Sequence, residues 1–265
     1  MTDQSTEDRS VELRLDAGVA EIVLDRPSRL NAMTAAMVRE ILDAVDAVEA
    51  AQARVVLLTA NGRAFSAGRD ISDAKPGAED GGQVLAEIFN PMMQRVADLP
   101  VPTIAAVQGA CMGTGLGLAL ACDVVLAADD AKFASPFAKI GAVLDSGAHK
   151  AFVQRLGPAR ALDLIYSGRT LSGAEAASCG LVSRSMPAAD LPTTAREYAA
   201  TLAAGPALAL AESKRLVRRL SDQPATLAEV LALEAHAQHR ASETADYVEG
   251  FTAFLERRPP KFTGG

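Results

Sequence analysis

Two glycine-bearing segments constrain this chain more than anything else in it: AFSAGRDI (Ala64 to Ile71) and AAVQGACMGTGLGLALACD (Ala105 to Asp123). Each follows a strand-like apolar run, Arg54 to Thr59 and Thr103 to Val107, and the second leads into a helix-like one. Glycine after a strand lets the backbone approach a ligand closely and leaves peptide N–H groups free to donate. Two such loops facing each other can hold one carbonyl oxygen between two donors. That arrangement is an oxyanion hole, which stabilises charge that appears only as an enolate or tetrahedral intermediate forms. GTGLG (Gly113 to Gly117) does not fit the GxGxxG dinucleotide fingerprint, and no GxxxxGK(S/T) phosphate loop occurs. Read alone, these glycines suit tight helix–sheet packing about as well as ligand binding.

With 265 residues, 49% of them hydrophobic, the chain has material for one sizeable core. A net charge of −7 disfavours a nucleic-acid partner and leaves the cations as local features. Cys111, Cys122 and Cys179 are odd in number and widely spaced in apolar surroundings. That pattern points to reduced, buried thiols and a cytoplasmic location, not to a disulfide framework or metal site. His236 and His239 lie three apart but lack a further ligand nearby, so no metal is expected. Met1 to Ser10 is polar and acidic and reads as a frayed terminus without a signal peptide. The run Ile104 to Ala128 is broken by glycines, Gln108 and Asp123, so it reads as strand, loop, helix and strand, not a membrane span.

Val11 to Leu15 and Val19 to Leu24 alternate around Asp16-Ala17-Gly18, which predicts a β-hairpin. Met37, Ile41, Val45 and Val48 recur at helical spacing within a helix predicted over Asn31 to Ala50. Val55 to Thr59 predicts a buried strand. Ser72 to Gly82 is rich in Gly, Asp and Pro and reads as a mobile loop. From Leu191 onward the pattern is helical, with a break at Gly205-Pro206.

Five segments in order carry a stronger signal: LDRPSRLNAM (Leu24 to Met33), AFSAGRDI, PVPTIAAVQGACMGTGLGLALACD (Pro100 to Asp123), FAKIGAVLD (Phe137 to Asp145) and SGRTLSGAEAASCGLVSR (Ser167 to Arg184), with the tail LERRPPKF (Leu255 to Phe262). Together they resemble the enoyl-CoA hydratase/isomerase (crotonase) superfamily along most of the chain. The resemblance implies an α/β fold: a crotonase-like spiral of ββα repeats over residues 1–190, then a C-terminal helical part over 191–265 used for trimer contacts. A homotrimer or a hexamer built as a dimer of trimers is expected. The implied ligand is an acyl-CoA, with the coenzyme A thioester as substrate in fatty acid metabolism, no bound cofactor, and no nucleic-acid or membrane partner.

The resemblance also implies roles. The backbone N–H groups of Arg69 and Thr114 become the oxyanion donors. Arg26, Arg29 and Leu30 fall where the family contacts CoA, and a guanidinium suits phosphate because its donors form a planar fork. Ala67, Asp70 and Ile71 fall near the adenine end, although an aspartate in such a place equally suits a helix N-cap. Gly113, Gly117 and Phe137 fall along the substrate. Ser72 to Gly82 covers the acyl pocket. Arg257, Arg258 and Lys261 suit either a 3′-phosphate or a solvated terminus.

The two glutamates that hydratases of this family use to activate water fall, by position, on Gly117 and Phe137, neither of which transfers a proton. Asp145, eight positions after Phe137, falls where isomerase branches carry the aspartate that shuttles a proton along the acyl chain. An apolar neighbour such as Phe137 is expected to raise its pKa. Asp145 also suits the N-cap of a helix beginning near Ser146. His149, one turn on, is a candidate partner. Three readings follow: an enoyl-CoA isomerase using Asp145, a non-catalytic acyl-CoA-binding protein, and a hydratase with a non-standard site.

Overall fold

In the computed structural model, which describes residues 9–72 and 77–264, the alternating segments pair as expected: β1 (Val11–Asp16) and β2 (Val19–Leu24) run antiparallel around a turn at Ala17 and Gly18. The frayed end expected at Met1 to Ser10 lies, through residue 8, outside the described residues, as do 73–76 of the expected loop. α1 (Ala35–Ala50) buries Met37, Ile41, Val45 and Val48, the stripe that predicted it. It begins four residues later than expected, because Leu30 and Asn31 sit at φ of 52° and 53° and Thr34 caps the first turn by accepting from the Met37 N–H.

β3 (Val55–Ala60), buried on both sides at its first four residues, pairs parallel with β2. α2 (Gly81–Val84) leads through a π-helical stretch (Leu85–Phe89) into α3 (Asn90–Asp98). β4 (Thr103–Val107), β5 (Ala110–Met112), α4 (Thr114–Ala121) and β6 (Val124–Ala128) then resolve the long apolar run into strand, strand, helix and strand. No described helix is long and apolar enough to cross a membrane. β7 (Lys132–Ala134) and a 3-10 turn (Pro136–Ile140) precede α5 (Ala148–Leu156), α6 (Pro158–Ser167), β8 (Leu171–Ser172), α7 (Gly173–Ser178) and β9 (Arg184–Met186).

The larger sheet has the order β1-β2-β3-β4-β6-β9, parallel from β2 onward, and the smaller has β5-β7-β8. The smaller sheet fixes the site: β5 pairs with β7 through Cys111 and Phe133 and delivers the chain straight into α4. Burial pushes the Cys122 thiol up to about 12 and raises Cys111 further, so both are inert fillers of the core.

α8 (Leu191–Ala203) buries Leu191, Ala195, Ala199 and Ala203 in the same core as the sheet. α9 (Ala207–Asp222) follows the Gly205-Pro206 break and is tied down by Lys214, whose ammonium reaches Asp123 at 2.7 Å and the Val101 carbonyl at 2.7 Å. α10 (Leu227–Ser242) and α11 (Ala245–Glu256) leave Leu227, Phe254 and Leu255 more than 70% exposed, a wide apolar face.

Candidate active site

The site begins at Asn31, which is fully buried and held in the left-handed region. Its Oδ1 accepts from the Arg26 N–H at 2.7 Å, and its Nδ2 donates to the carbonyls of Asn61 and Ala64 at 3.0 and 2.8 Å. Asparagine tolerates that backbone conformation better than most residues. This one side chain joins the loop after β2 to the loop after β3. Next to it, the Ser66 hydroxyl donates to the Asn31 carbonyl at 2.8 Å and accepts from the Gly68 N–H at 3.1 Å. We expect Asn31→Ala to strand three partly or fully buried backbone groups and cost at least about 3 kcal/mol in a denaturant titration, since each unsatisfied group costs about 1–3 kcal/mol.

Those ties present Gly68 and Arg69 to the second glycine loop. Ser66 bridges to Cys111 on β5, and Met33 bridges to Arg69. A Cβ placed on Gly68, at φ of 95°, would lie 2.9 Å from the Met112 carbonyl oxygen and 3.6 Å from the Thr114 nitrogen. The two loops therefore touch, and only glycine permits the approach. The N–H of Arg69 and the N–H of Thr114, the latter at the N-terminus of α4, donate to no acceptor among the described residues. A helix N-terminus adds partial positive charge to such donors.

Both open into a cavity of about 810 Å³. Its far wall is apolar, with Leu85, Met112, Phe137, Ile140 and Val143, and Asp145 lines it as well. Burial raises the Asp145 pKa, opposed by a hydrogen bond from the Ser146 hydroxyl (2.7 Å) and by the charges of Arg69 and His149. A carboxyl held above its ordinary range, lining the same cavity as two free peptide donors, can exchange a proton with a ligand whose oxygen rests on those donors.

Arg29, Ala67, Asp70, Ile71, Gly113 and Phe137 also line this cavity, so that with Asp145, Arg69 and Thr114 nine of the twelve site residues expected from the sequence converge here. Three do not. The Arg26 guanidinium is turned inward, reaching Asp70 at 2.5 Å and the Ala32 carbonyl at 3.0 Å, so it braces the loop. Leu30 takes part through its carbonyl, which accepts from the Ala67 N–H at 2.9 Å. Gly117 is buried on α4 and lines a separate cavity of about 770 Å³ behind that helix.

Neither aspartate caps a helix. Asp70 accepts from the Ser72 N–H and hydroxyl and from Arg26, which together hold its carboxyl well below the usual carboxylate range. α5 starts at Ala148 with Gly147 as its uncapped N-cap, because Ser146 and Gly147 are both left-handed, and Asp145 is thereby turned to the cavity. In the tail, Arg258 is engaged by Glu249 at 2.6 and 2.8 Å. Asn31, Ser66, Ser146 and Glu79, which accepts twice from the Arg69 guanidinium at 2.7 and 2.9 Å, were not singled out by the sequence. Only Asn31 carried a signal, as an asparagine at the start of a predicted helix.

A family model described as enoyl-CoA hydratase/isomerase matches residues 14–265. A curated Rhodobacter capsulatus protein named "Probable enoyl-CoA hydratase" is 38% identical, over 96% of this chain and 98% of its own. The 1,2-epoxyphenylacetyl-CoA isomerase of Escherichia coli K12 is 36% identical, over 94% and 97%. The crystal structure of an enoyl-CoA hydratase subunit I from Geobacillus kaustophilus superimposes with a TM-score of 0.89 at 34% identity, covering 97% of this chain and 98% of that one.

Proposed function

The chain belongs to the enoyl-CoA hydratase/isomerase family, and from that membership we propose that it shifts the double bond of an enoyl-CoA, with Asp145 carrying the proton. It is an enzyme of that family with the crotonase fold, and its finer chemistry follows from the cavity. The thioester oxygen rests between the Arg69 and Thr114 N–H groups. Ionised Asp145 takes a proton from the carbon alpha or gamma to the carbonyl, and the electron pair moves into the thioester as an enolate. The two donors hold the new negative charge. Protonated Asp145 then returns its proton at the other carbon, so no water is added and the enzyme is regenerated.

One observation carries this reading: of the two aspartates lining the cavity with both free donors, Asp70 is tied up by Arg26 and Ser72, whereas Asp145 has its pKa raised by burial. Glycine at 117 and phenylalanine at 137 leave no carboxylate at either position of the hydratase glutamate pair. A relative named as an isomerase at 36% identity adds support. The apolar face on α10 and α11 favours a homotrimer or hexamer assembled through residues 191–265, of which α8 also packs into the core formed with 1–190. Buried free thiols favour the cytoplasm.

The test is incubation with 2-enoyl- and 3-enoyl-CoA in deuterated water. Deuterium uptake with double-bond migration is the expected result. A product heavier by one water would make the enzyme a hydratase, and tight binding with neither change would leave an acyl-CoA-binding protein.

A further inference from the structure

We propose that Ser146 is the positioning residue of Asp145: its hydroxyl holds one carboxylate oxygen so that the other faces the cavity, and Gly117 is the seat on which Ser146 rests. The inference rests on the reading of Asp145 as the proton carrier.

Four observations support it. Ser146 is 5% exposed, and its hydroxyl proton is given to Asp145 Oδ1 at 2.7 Å, while Oδ2 has no partner among the described residues. Its backbone is in the left-handed region at φ of 55°, where a serine is strained, and Gly147 follows at 77°. These two residues turn the chain just before α5, so that adjacent residues line two different cavities. Asp145 lines the catalytic cavity, and Ser146 lines the cavity behind α4. Finally, a Cβ on Gly117 would come within 2.4 Å of the Ser146 Cβ and 2.5 Å of its carbonyl oxygen. Residue 117 is the position where a hydratase-type glutamate would fall, and here the Asp145–Ser146 turn fills that space.

The chemistry gives the contact a purpose. An aspartate carboxylate rotates about its last bond, and each rotation changes which lone pair meets the substrate carbon. A donor fixed on Oδ1 stops that rotation. It serves both protonation states, because Oδ1 accepts whether or not Oδ2 carries a proton. It favours the ionised form and so offsets part of the burial that raises the pKa. Arg69 across the cavity and His149 on α5 act in the same direction. α4 has no ionisable side chain, and Lys139 of the 3-10 turn packs over Gly168.

The experiment compares Ser146→Ala, Ser146→Gly and Gly117→Ala with Asp145→Asn, using the deuterium-exchange assay. Glycine fits the left-handed backbone, so Ser146→Gly folds without strain and removes only the side chain. Both Ser146 variants are expected to lose about tenfold in kcat with KM unchanged, the size of one hydrogen bond to a charged group. The acid limb of kcat/KM should also move to higher pH, which a packing role would not cause. Gly117→Ala keeps the hydroxyl but displaces its seat, and a similar kcat loss is expected. Wild-type kcat and acid limb in Ser146→Gly, with Asp145→Asn inactive, would overturn the positioning role and leave the proton carrier standing. Wild-type kcat in Gly117→Ala would remove the seat. Full activity in Asp145→Asn would overturn both readings together.

Discussion

Asp145→Asn is expected to slow hydrogen exchange at the acyl carbons by about 10²–10⁴-fold, the usual contribution of a positioned general acid–base group. Binding of the acyl-CoA should change little. The amide keeps the shape of the side chain, and the Arg69 and Thr114 N–H groups still meet the thioester oxygen. The loss should therefore appear in kcat and not in KM. Asn cannot take a proton, but its carbonyl can still accept from the Ser146 hydroxyl.

The pH dependence has a definite sign. Burial raises the Asp145 pKa above the ordinary aspartate value. The base must be ionised to act, so wild-type kcat/KM should fall as pH drops through that raised pKa. The same shift bears on stability in the opposite sense from a paired carboxylate. With the folded pKa above the unfolded one, the native state binds the proton more tightly, so stability falls as pH rises across the interval between the two values. At neutral pH the ionised group sits in a site that disfavours it. Asp145→Asn should thus melt no lower than the wild type, a trade of stability for activity often met at catalytic groups. A lower melting temperature with lost activity would point to unfolding instead of lost chemistry.

The elements and loops around this aspartate were legible in the sequence to different depths. The hairpin, the stripe of α1 and the two glycine loops were readable because each is set by local patterns: alternation, a 3.6-residue period, glycine after a strand. What was not legible is set by contacts distant in sequence. Arg26 looked like a phosphate ligand, but Asp70, 44 positions away, claims its guanidinium. Gly117 looked like part of a ligand loop, but the backbone of Ser146 lies on it. The start of α5 was placed two residues early because a left-handed serine has no sequence signature. Asp145 was picked out by its place in a motif, whereas its raised pKa depends on a wall assembled from several elements.

The proposed oxyanion hole can be tested without touching Asp145. In Gly68→Ala the new methyl would lie 2.9 Å from the Met112 carbonyl oxygen, a backbone atom with no rotamer to change. The left-handed φ of 95° adds strain for any L side chain. The strand-like contact between the two loops must then open, and the Arg69 N–H moves with it. Losing one donor of such a hole costs about 10²–10³-fold in kcat. Because charge on the thioester oxygen develops only as the enolate forms, KM should hold nearly constant while kcat falls. Gly157→Ala is the control. Gly157 is also at positive φ, 78°, but a methyl there meets nothing within 4 Å, and the residue joins α5 to α6 away from the cavity. It should lose about 1–3 kcal/mol of stability from backbone strain alone and keep its kcat. If the two variants lost stability equally and kcat equally, the Gly68 effect would be general loosening and the hole would not be where catalysis occurs. If kcat falls only in Gly68→Ala, the contact between the loops is what holds the enolate.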